Sequence, residues 1–448
     1  MRFVLNTEED CGNMIKSTGA GDINELFSDI PGAVRLKRTL RLPGPMSEPE
    51  LARHLRDIAS ENKNLDEYAC FLGAGAYDHY VPKIIDQLLQ RSEFYTAYTP
   101  YQAELGQGTL QAIFEYQTMI CQLTGMDTAN ASLYDGASAL AEAALMACLH
   151  TGKGKVVVSG CVHPEYRRTV QTYLKNREID LAECPENRGV TAIEALEEMV
   201  DAHTAAVLLQ QPNFFGCLEK APLIGEIAHR SGALLVVCAD PVSLGLLEAP
   251  GEYGADIVAG EGQGLGNHIS YGGPYLGFLA CRRELTRRMP GRIAGQTLDR
   301  RGRRCYVLTL QAREQHIRRE RAASNICSNE ALCALAAAIY LSWLGKKGLR
   351  RVAELCLQKA HYARRLITSS GVVKASFSAP FFKEFAVRTV ESPAEINRRL
   401  LGKGIIGGLD LGRYYPAYRG HMLICVTEMR TADEIQRLAD GMGVRKVV

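Results

Sequence analysis

Leu234-Leu-Val-Val-Cys-Ala-Asp-Pro241 is an apolar run that stops abruptly at a carboxylate and a turn-forming proline. A short, unbroken apolar run bounded by turn signals reads as a strand buried on both faces. Four further runs, Lys155–Ser159, Ala205–Gln210, Asp256–Ala259 and Leu276–Cys281, alternate with helical stretches. That alternation specifies βα units and a largely parallel sheet with helices on both sides. Asp240 then falls at the carboxyl end of a central strand, the edge along which open α/β sheets bind their ligands.

Upstream, Tyr134-Asp-Gly-Ala-Ser-Ala-Leu140 is a turn feeding an Ala-rich helix. The first turn of that helix would present backbone N–H groups and the Ser138 hydroxyl, a cradle for an anion beside Asp135 and Gly136. The bland alternative is an Asp135 N-cap and nothing more, just as Asp240-Pro241 is also an ordinary turn. Taken together, a carboxylate able to pair with a pyridinium nitrogen and an anion cradle point to the aspartate-aminotransferase (type I) architecture of pyridoxal-phosphate enzymes. That chemistry needs a Schiff-base lysine shortly beyond the aspartate. None occurs between Lys220 and Lys346, and the chain instead runs Gly260-Glu-Gly-Gln-Gly-Leu-Gly-Asn-His268. Arginine does not shed its proton to become a nucleophile, and His268 cannot form the imine. Asp135, Gly136, Ser138, Asp240 and His268 therefore outline a degenerate cofactor pocket. Lys153 and Lys155 are poor substitutes, since they flank the amino end of a strand.

Other glycine-rich stretches carry less. Neither Gly73-Ala-Gly75 nor Gly260–Gly266 completes a dinucleotide fingerprint within a βαβ unit, so both read as turns needing positive φ. The first hundred residues hold helix signals and few strand signals, including a capping box at Ser47-Glu-Pro-Glu50. They read as a mostly helical arm, residues 1–100, laid over something else. Residues 101–325 form the large α/β domain, opening with an amphipathic helix over Leu110–Leu123. Residues 326–448 form a smaller α+β domain. It has helices over Glu330–Leu344 and Gly348–Ser369, strands at Phe385–Thr389 and His421–Val426, and capping boxes at Ser392 and Thr431.

Composition bounds the function. Lys+Arg 52 against Asp+Glu 50 leaves a net charge of +2 over 448 residues, no footprint for nucleic acid. The N-terminus reads as neither secretory signal nor membrane span. Fourteen cysteines without a C-x-x-C predict reduced thiols in a cytoplasmic protein, and ten histidines without ligand spacing predict no metal site.

Several long stretches also carry a family resemblance. They are Phe71-Leu-Gly-Ala-Gly-Ala-Tyr-Asp-His-Tyr-Val-Pro82, Thr96-Ala-Tyr-Thr-Pro-Tyr-Gln-Ala-Glu104, Asn130-Ala-Ser-Leu-Tyr-Asp-Gly136, Gln211-Pro-Asn-Phe-Phe-Gly216, Gly272-Gly-Pro-Tyr-Leu-Gly277 and Ser324-Asn-Ile-Cys-Ser-Asn329. Through them the whole chain resembles the P-proteins of the glycine cleavage system, glycine dehydrogenases (decarboxylating), in their two-subunit form. The resemblance implies an alpha chain that holds no cofactor covalently and is inactive alone. It implies a beta chain bearing the lysine and pyridoxal phosphate. With it the pair decarboxylates glycine, releases CO2 and passes the aminomethyl group to the lipoyl arm of the H-protein. Active sites at subunit interfaces would make Tyr95, Thr96, Tyr98, Thr99, Tyr101 and Glu104 lining residues of the partner's pocket. The competing expectation is a purely structural subunit that contributes no active-site residue. A cluster this rich in hydroxyls discriminates, because a pure core would have to satisfy each one.

Overall fold

The computed structural model describes residues 5–326 and 328–444, so Cys327, inside the motif Ser324–Asn329, lies outside the described residues. The chain divides into two compact units, Met1–Lys63 and Asn64–Val448, a division earlier than the boundary near residue 100 expected from the helix signals. The first unit carries α1 (Glu8–Ser17) and α2 (Glu48–Ser60), and neither helix has a buried residue. The expected capping box at Ser47 is present, with Glu50 accepting from the Ser47 backbone N–H at 2.8 Å.

The second unit is built on a seven-stranded sheet. In chain order its strands are β1 (Thr128–Ala129), β2 (Lys155–Ser159), β3 (Asp180–Cys184), β4 (Thr204–Gln211), β5 (Leu234–Ala239), β6 (Ile257–Glu261) and β7 (Gly277–Cys281). Their order in space is β1-β7-β6-β5-β4-β2-β3. Strands β3, β2, β4, β5 and β6 are parallel, while β7 runs antiparallel to both neighbours. The largely parallel sheet expected from the apolar runs is the one found.

Alternation along the strands fills two cores. Leu235, Val237 and Val258 pack on one face with Tyr116 and Ile120 of α3 (Gln107–Thr124). Val156, Val158, Leu208 and Val236 pack on the other with α4 (Gly136–Thr151). Small side chains let α4 lie close to the sheet: Ala139, Ala141, Ala143, Ala144 and Ala147 are all fully buried. After α5 (Pro164–Leu174) and a β8–β9 hairpin (Ile293–Leu298 and Arg304–Thr309), the chain enters α6 (Ala331–Thr368). Two separate helices were expected there, and the helix is indeed broken at Gly345 by φ +58° and ψ −175°. By length and apolar content α6 could span a membrane, yet its Ala334, Ala337, Tyr340, Ala353 and Ala360 are buried in this protein's cores.

The C-terminal part forms a four-stranded antiparallel sheet in the order β10-β11-β13-β12, from Lys374–Ala375, Glu384–Arg388, His421–Cys425 and Leu409–Asp410. Helices α7 (Pro393–Leu401) and α8 (Ala432–Gly441) cover it, and both expected capping boxes form. Residues Ala69–Cys70 pair in parallel with Ile405–Ile406, which places Phe71 in the core of this layer.

Candidate functional site

The carboxyl edge of the sheet is where the conspicuous residues meet. Strand β5 delivers Asp240, β6 ends on Glu261, and β4 brings Gln210. Helix α4 opens beside them through a capping box in which the Ser138 N–H donates to Asp135 Oδ1 at 2.7 Å. His163 caps α5: its Nδ1 accepts from the Glu165 N–H at 3.1 Å, so its Nε2–H donates to the Ala74 carbonyl at 2.9 Å. The imidazole stacks on Tyr166, centroids 4.8 Å apart, and burial lowers its pKa.

Of the donors expected to cradle an anion, only the Gly136 N–H meets a carboxylate of the same chain, because the Ser138 N–H and hydroxyl both bond Asp135. Glu261 accepts from the backbone N–H groups of Gly136, Gln263 and Leu276, each at 2.9 Å. The glycine at 136 is required by this approach, since a Cβ there would come within 2.6 Å of the Tyr166 hydroxyl and 2.9 Å of Glu261 Cβ. Burial pushes the Glu261 carboxyl up to about 7, against the pull of those three donors.

Asp240 is likewise engaged. Its Oδ2 lies 2.8 Å from the ammonium of Lys383, which is 98% buried just before β11 (side-chain exposures 2% and 13%). Burial works against the charged amine, but the Asp240 carboxylate outweighs it and holds the pKa above the ordinary lysine value. The same Nζ lies 3.4 Å from the centre of the Tyr77 ring and 3.1 Å from His79 Nε2. His79 Nδ1 in turn bonds Glu428 at 2.7 Å. Burial would raise the Glu428 carboxyl, yet the His79 ring outweighs it and holds it at about 2. Beside Lys383, Glu384 accepts from the Tyr77 hydroxyl at 2.8 Å and the Ala74 N–H at 2.7 Å, and burial lifts it to about 7. The space left between Asp240, Glu261, Tyr77 and His163 is about 30 Å³, room for a water or two and far below the several hundred Å³ of a ligand pocket.

These residues do not fit pyridoxal phosphate. The cradle already holds a carboxylate, the ring-nitrogen partner already holds an ammonium, and Lys383 is locked in a charge pair as a cation. Lys153 bonds the Ser231 and Gly232 carbonyls at 2.8 Å, and Lys155 bonds Asp201 at 2.6 Å, both at the far edge of the sheet. His79, Cys356 and Glu428 bring ligand atoms within 4.8 Å of one another, but an ammonium 3.1 Å from the imidazole and the mutual hydrogen bonds make them a network hostile to a cation.

Of the residues expected in the pocket, Asp135, Gly136, Ser138 and Asp240 come together at this edge. His268 does not: its half-exposed ring bonds Asp86 at 3.3 Å, because the chain turns away after β6. The sequence reading missed Lys383, Glu384, Glu261 and His163. The available signal was a charged pair inside the apolar run Phe381-Phe-Lys-Glu-Phe385.

A second cluster surrounds Thr96–Glu104. Tyr95, Thr96, Tyr98, Tyr101 and Glu104 are exposed and Thr99 is half-buried. The Tyr101 hydroxyl accepts from Arg292 Nη2 at 2.7 Å, and its ring packs edge-on to His316 at 6.0 Å. Arg292 and Glu314 are buried, 3.7 Å apart at their nearest charged atoms. Around them Arg292 Nε, two nitrogens of Arg313, Glu314 Oε1, Asn130 Oδ1 and Ser132 Oγ are buried without a hydrogen-bond partner.

The chain is 56% identical over 443 residues to a protein of Desulforamulus reducens named probable glycine dehydrogenase (decarboxylating) subunit 1, covering 99% of both. A crystal structure of glycine decarboxylase (P-protein) of the glycine cleavage system, in inhibitor-bound form, superposes with a TM-score of 0.88 at 42% identity and 99% coverage of each chain. A sphingosine-1-phosphate lyase of Burkholderia pseudomallei shares the fold alone, with a TM-score of 0.67 at 16% identity over 92% of this chain and 94% of that one. Residues 1–442 match the family described as glycine cleavage system P-protein, and the chain belongs to that family.

Proposed function

We propose that this chain is the lysine-less alpha subunit of a two-chain glycine decarboxylase, inactive alone. Its partner is a beta subunit that carries the Schiff-base lysine and pyridoxal phosphate. The pair removes CO2 from glycine and hands the aminomethyl group to the lipoyl arm of the H-protein, in the cytoplasm. The observation that carries this reading is full-length similarity to proteins named as subunit 1, in a chain whose own cofactor positions are taken by Glu261 and Lys383.

What this chain contributes is a wall. Thr96–Glu104 offers rigid phenols at the surface, one of them fixed by a buried guanidinium. The buried charges of Arg292 and Glu314 lie beneath it. A structural subunit alone would not need hydroxyls and charges on that face. Co-expression tests the proposal. The chain with its lysine-bearing partner must release CO2 from glycine in the presence of lipoylated H-protein, and the chain alone must not. Turnover by this chain alone, or none by the pair, refutes it.

A further inference from the structure

A cofactor pocket can be lost in two ways. If only the lysine is gone, the phosphate cradle and the ring-nitrogen carboxylate persist, and the cofactor still binds without a covalent bond. If the recognition groups are occupied, nothing binds. The two cases differ here at named atoms. We infer that this chain's pocket is closed by its own side chains, with Glu261 seated at the start of α4 and Lys383 seated on Asp240, and that it excludes pyridoxal phosphate whether bound covalently or not.

Three N–H donors at 2.9 Å hold the Glu261 carboxyl at the start of α4. An incoming phosphate would have to displace it from all three donors, and a buried carboxyl stripped of its hydrogen bonds is costly. At the other end, the Asp240 oxygen is held at 2.8 Å by an ammonium whose remaining neighbours are His79 and the Tyr77 face. Breaking one partner out of a buried ion pair leaves the other uncompensated. Between the two ends the stacked His163 and Tyr166 rings leave about 30 Å³. A Cβ at Gly136 would meet the Tyr166 hydroxyl at 2.6 Å and the Cβ and backbone N of Glu261 at 2.9 Å, so the start of α4 and the end of β6 leave no room between them.

The inference deepens the reading in which the partner holds the cofactor. Its test uses this full chain alone and no turnover, so either can fail without the other. The probe is pyridoxamine phosphate, whose amine cannot form imines with surface lysines, with inorganic phosphate as a second ligand. Wild type should show no saturable binding of either by equilibrium dialysis up to millimolar concentration. Glu261→Gly empties the cradle and Lys383→Met frees Asp240 for a pyridinium. Each should bind pyridoxamine phosphate at least about tenfold more tightly than wild type, about 1.4 kcal/mol, and Glu261→Gly alone should also gain inorganic phosphate. A variant too unstable for dialysis should be stabilised by pyridoxamine phosphate in a melting experiment. Saturable one-to-one binding by wild type overturns the inference. So does a variant that shows neither gained affinity nor ligand-dependent melting.

Discussion

Glu142 lies in the middle of α4, 3% exposed among alanines. Burial lifts its carboxyl to about 7, only partly opposed by a hydrogen bond from Ser324 and the charge of Arg177. A carboxyl whose pKa is raised by folding stabilises the folded state below its unfolded value and withdraws that contribution as pH rises through the folded value. Glu261 and Glu384 act with the same sign. Stability should therefore fall from about pH 5 to about pH 8, and Glu142→Gln should reduce that loss by on the order of 1–3 kcal/mol. Urea unfolding midpoints at the two pH values read this directly, and identical pH slopes for variant and wild type would refute it. At the surface, Tyr101→Phe removes the hydroxyl that Arg292 holds. In the assembled enzyme, loss of that charge-assisted contact should slow glycine decarboxylation roughly tenfold or more. Pull-down of the partner should be unchanged, and an unaltered rate assigns Tyr101 to packing. Asp135 and Asp240 were readable from sequence because each stands at an element's boundary, the first opening α4 and the second following β5. Lys383 was not, because its neighbourhood with Asp240 is made by two layers meeting.

Among the elements, caps and apolar periods were the most legible features. Ser47, Ser392 and Thr431 open their helices as their spacing with a following Glu requires, and the run Leu234–Ala239 is a strand from end to end. The reason is locality, since a cap or a buried strand is decided by residues within one turn or one run. The break at Gly345 was legible for the same reason, as a gap between two helical stretches. Side-chain size along α4 carries tertiary information instead, because its alanines set how near the helix lies to the sheet. Ala144→Leu should then cost about 1–3 kcal/mol by overpacking. Ala52→Leu, on the exposed α2, should be nearly neutral. Thermal melting compares the two, and equal shifts would mean that α4 is more loosely packed than its burial implies.

At the scale of the molecule, residues 5–63 are chiefly surface. Leu51, Leu55 and Ile58 recur at helical spacing on α2, each about half exposed, and Leu26, Phe27, Leu36 and Leu40 are exposed as well. An apolar stripe of this kind on a unit with no buried helix residue fits an arm that closes on another chain. Obligate interfaces commonly exceed ~2,000 Å². Deleting residues 1–40 should weaken association with the beta subunit at least about tenfold, measured by analytical ultracentrifugation, and unchanged affinity would show that the arm serves something else. The reading as one subunit of a larger enzyme came from the family resemblance; the missing lysine was visible in the sequence itself. Which groups had filled the vacated positions was not, since Glu261 and Lys383 are ordinary residues until the fold brings them to Gly136 and Asp240.

The pairing of Ala69–Cys70 with Ile405–Ile406 sets a schedule for biosynthesis. A growing chain emerges from the ribosome with Phe71, Tyr77 and His79 early, and their partners Ile406, Glu384 and Glu428 come near the end. At roughly 5–20 residues per second, the interval is on the order of tens of seconds. Throughout it, an unpaired strand and a cluster of aromatic side chains stand open. The C-terminal layer can close only after nearly the whole polypeptide has been made, so nascent chains arrested before residue 384 should be the form of this protein that chaperones hold.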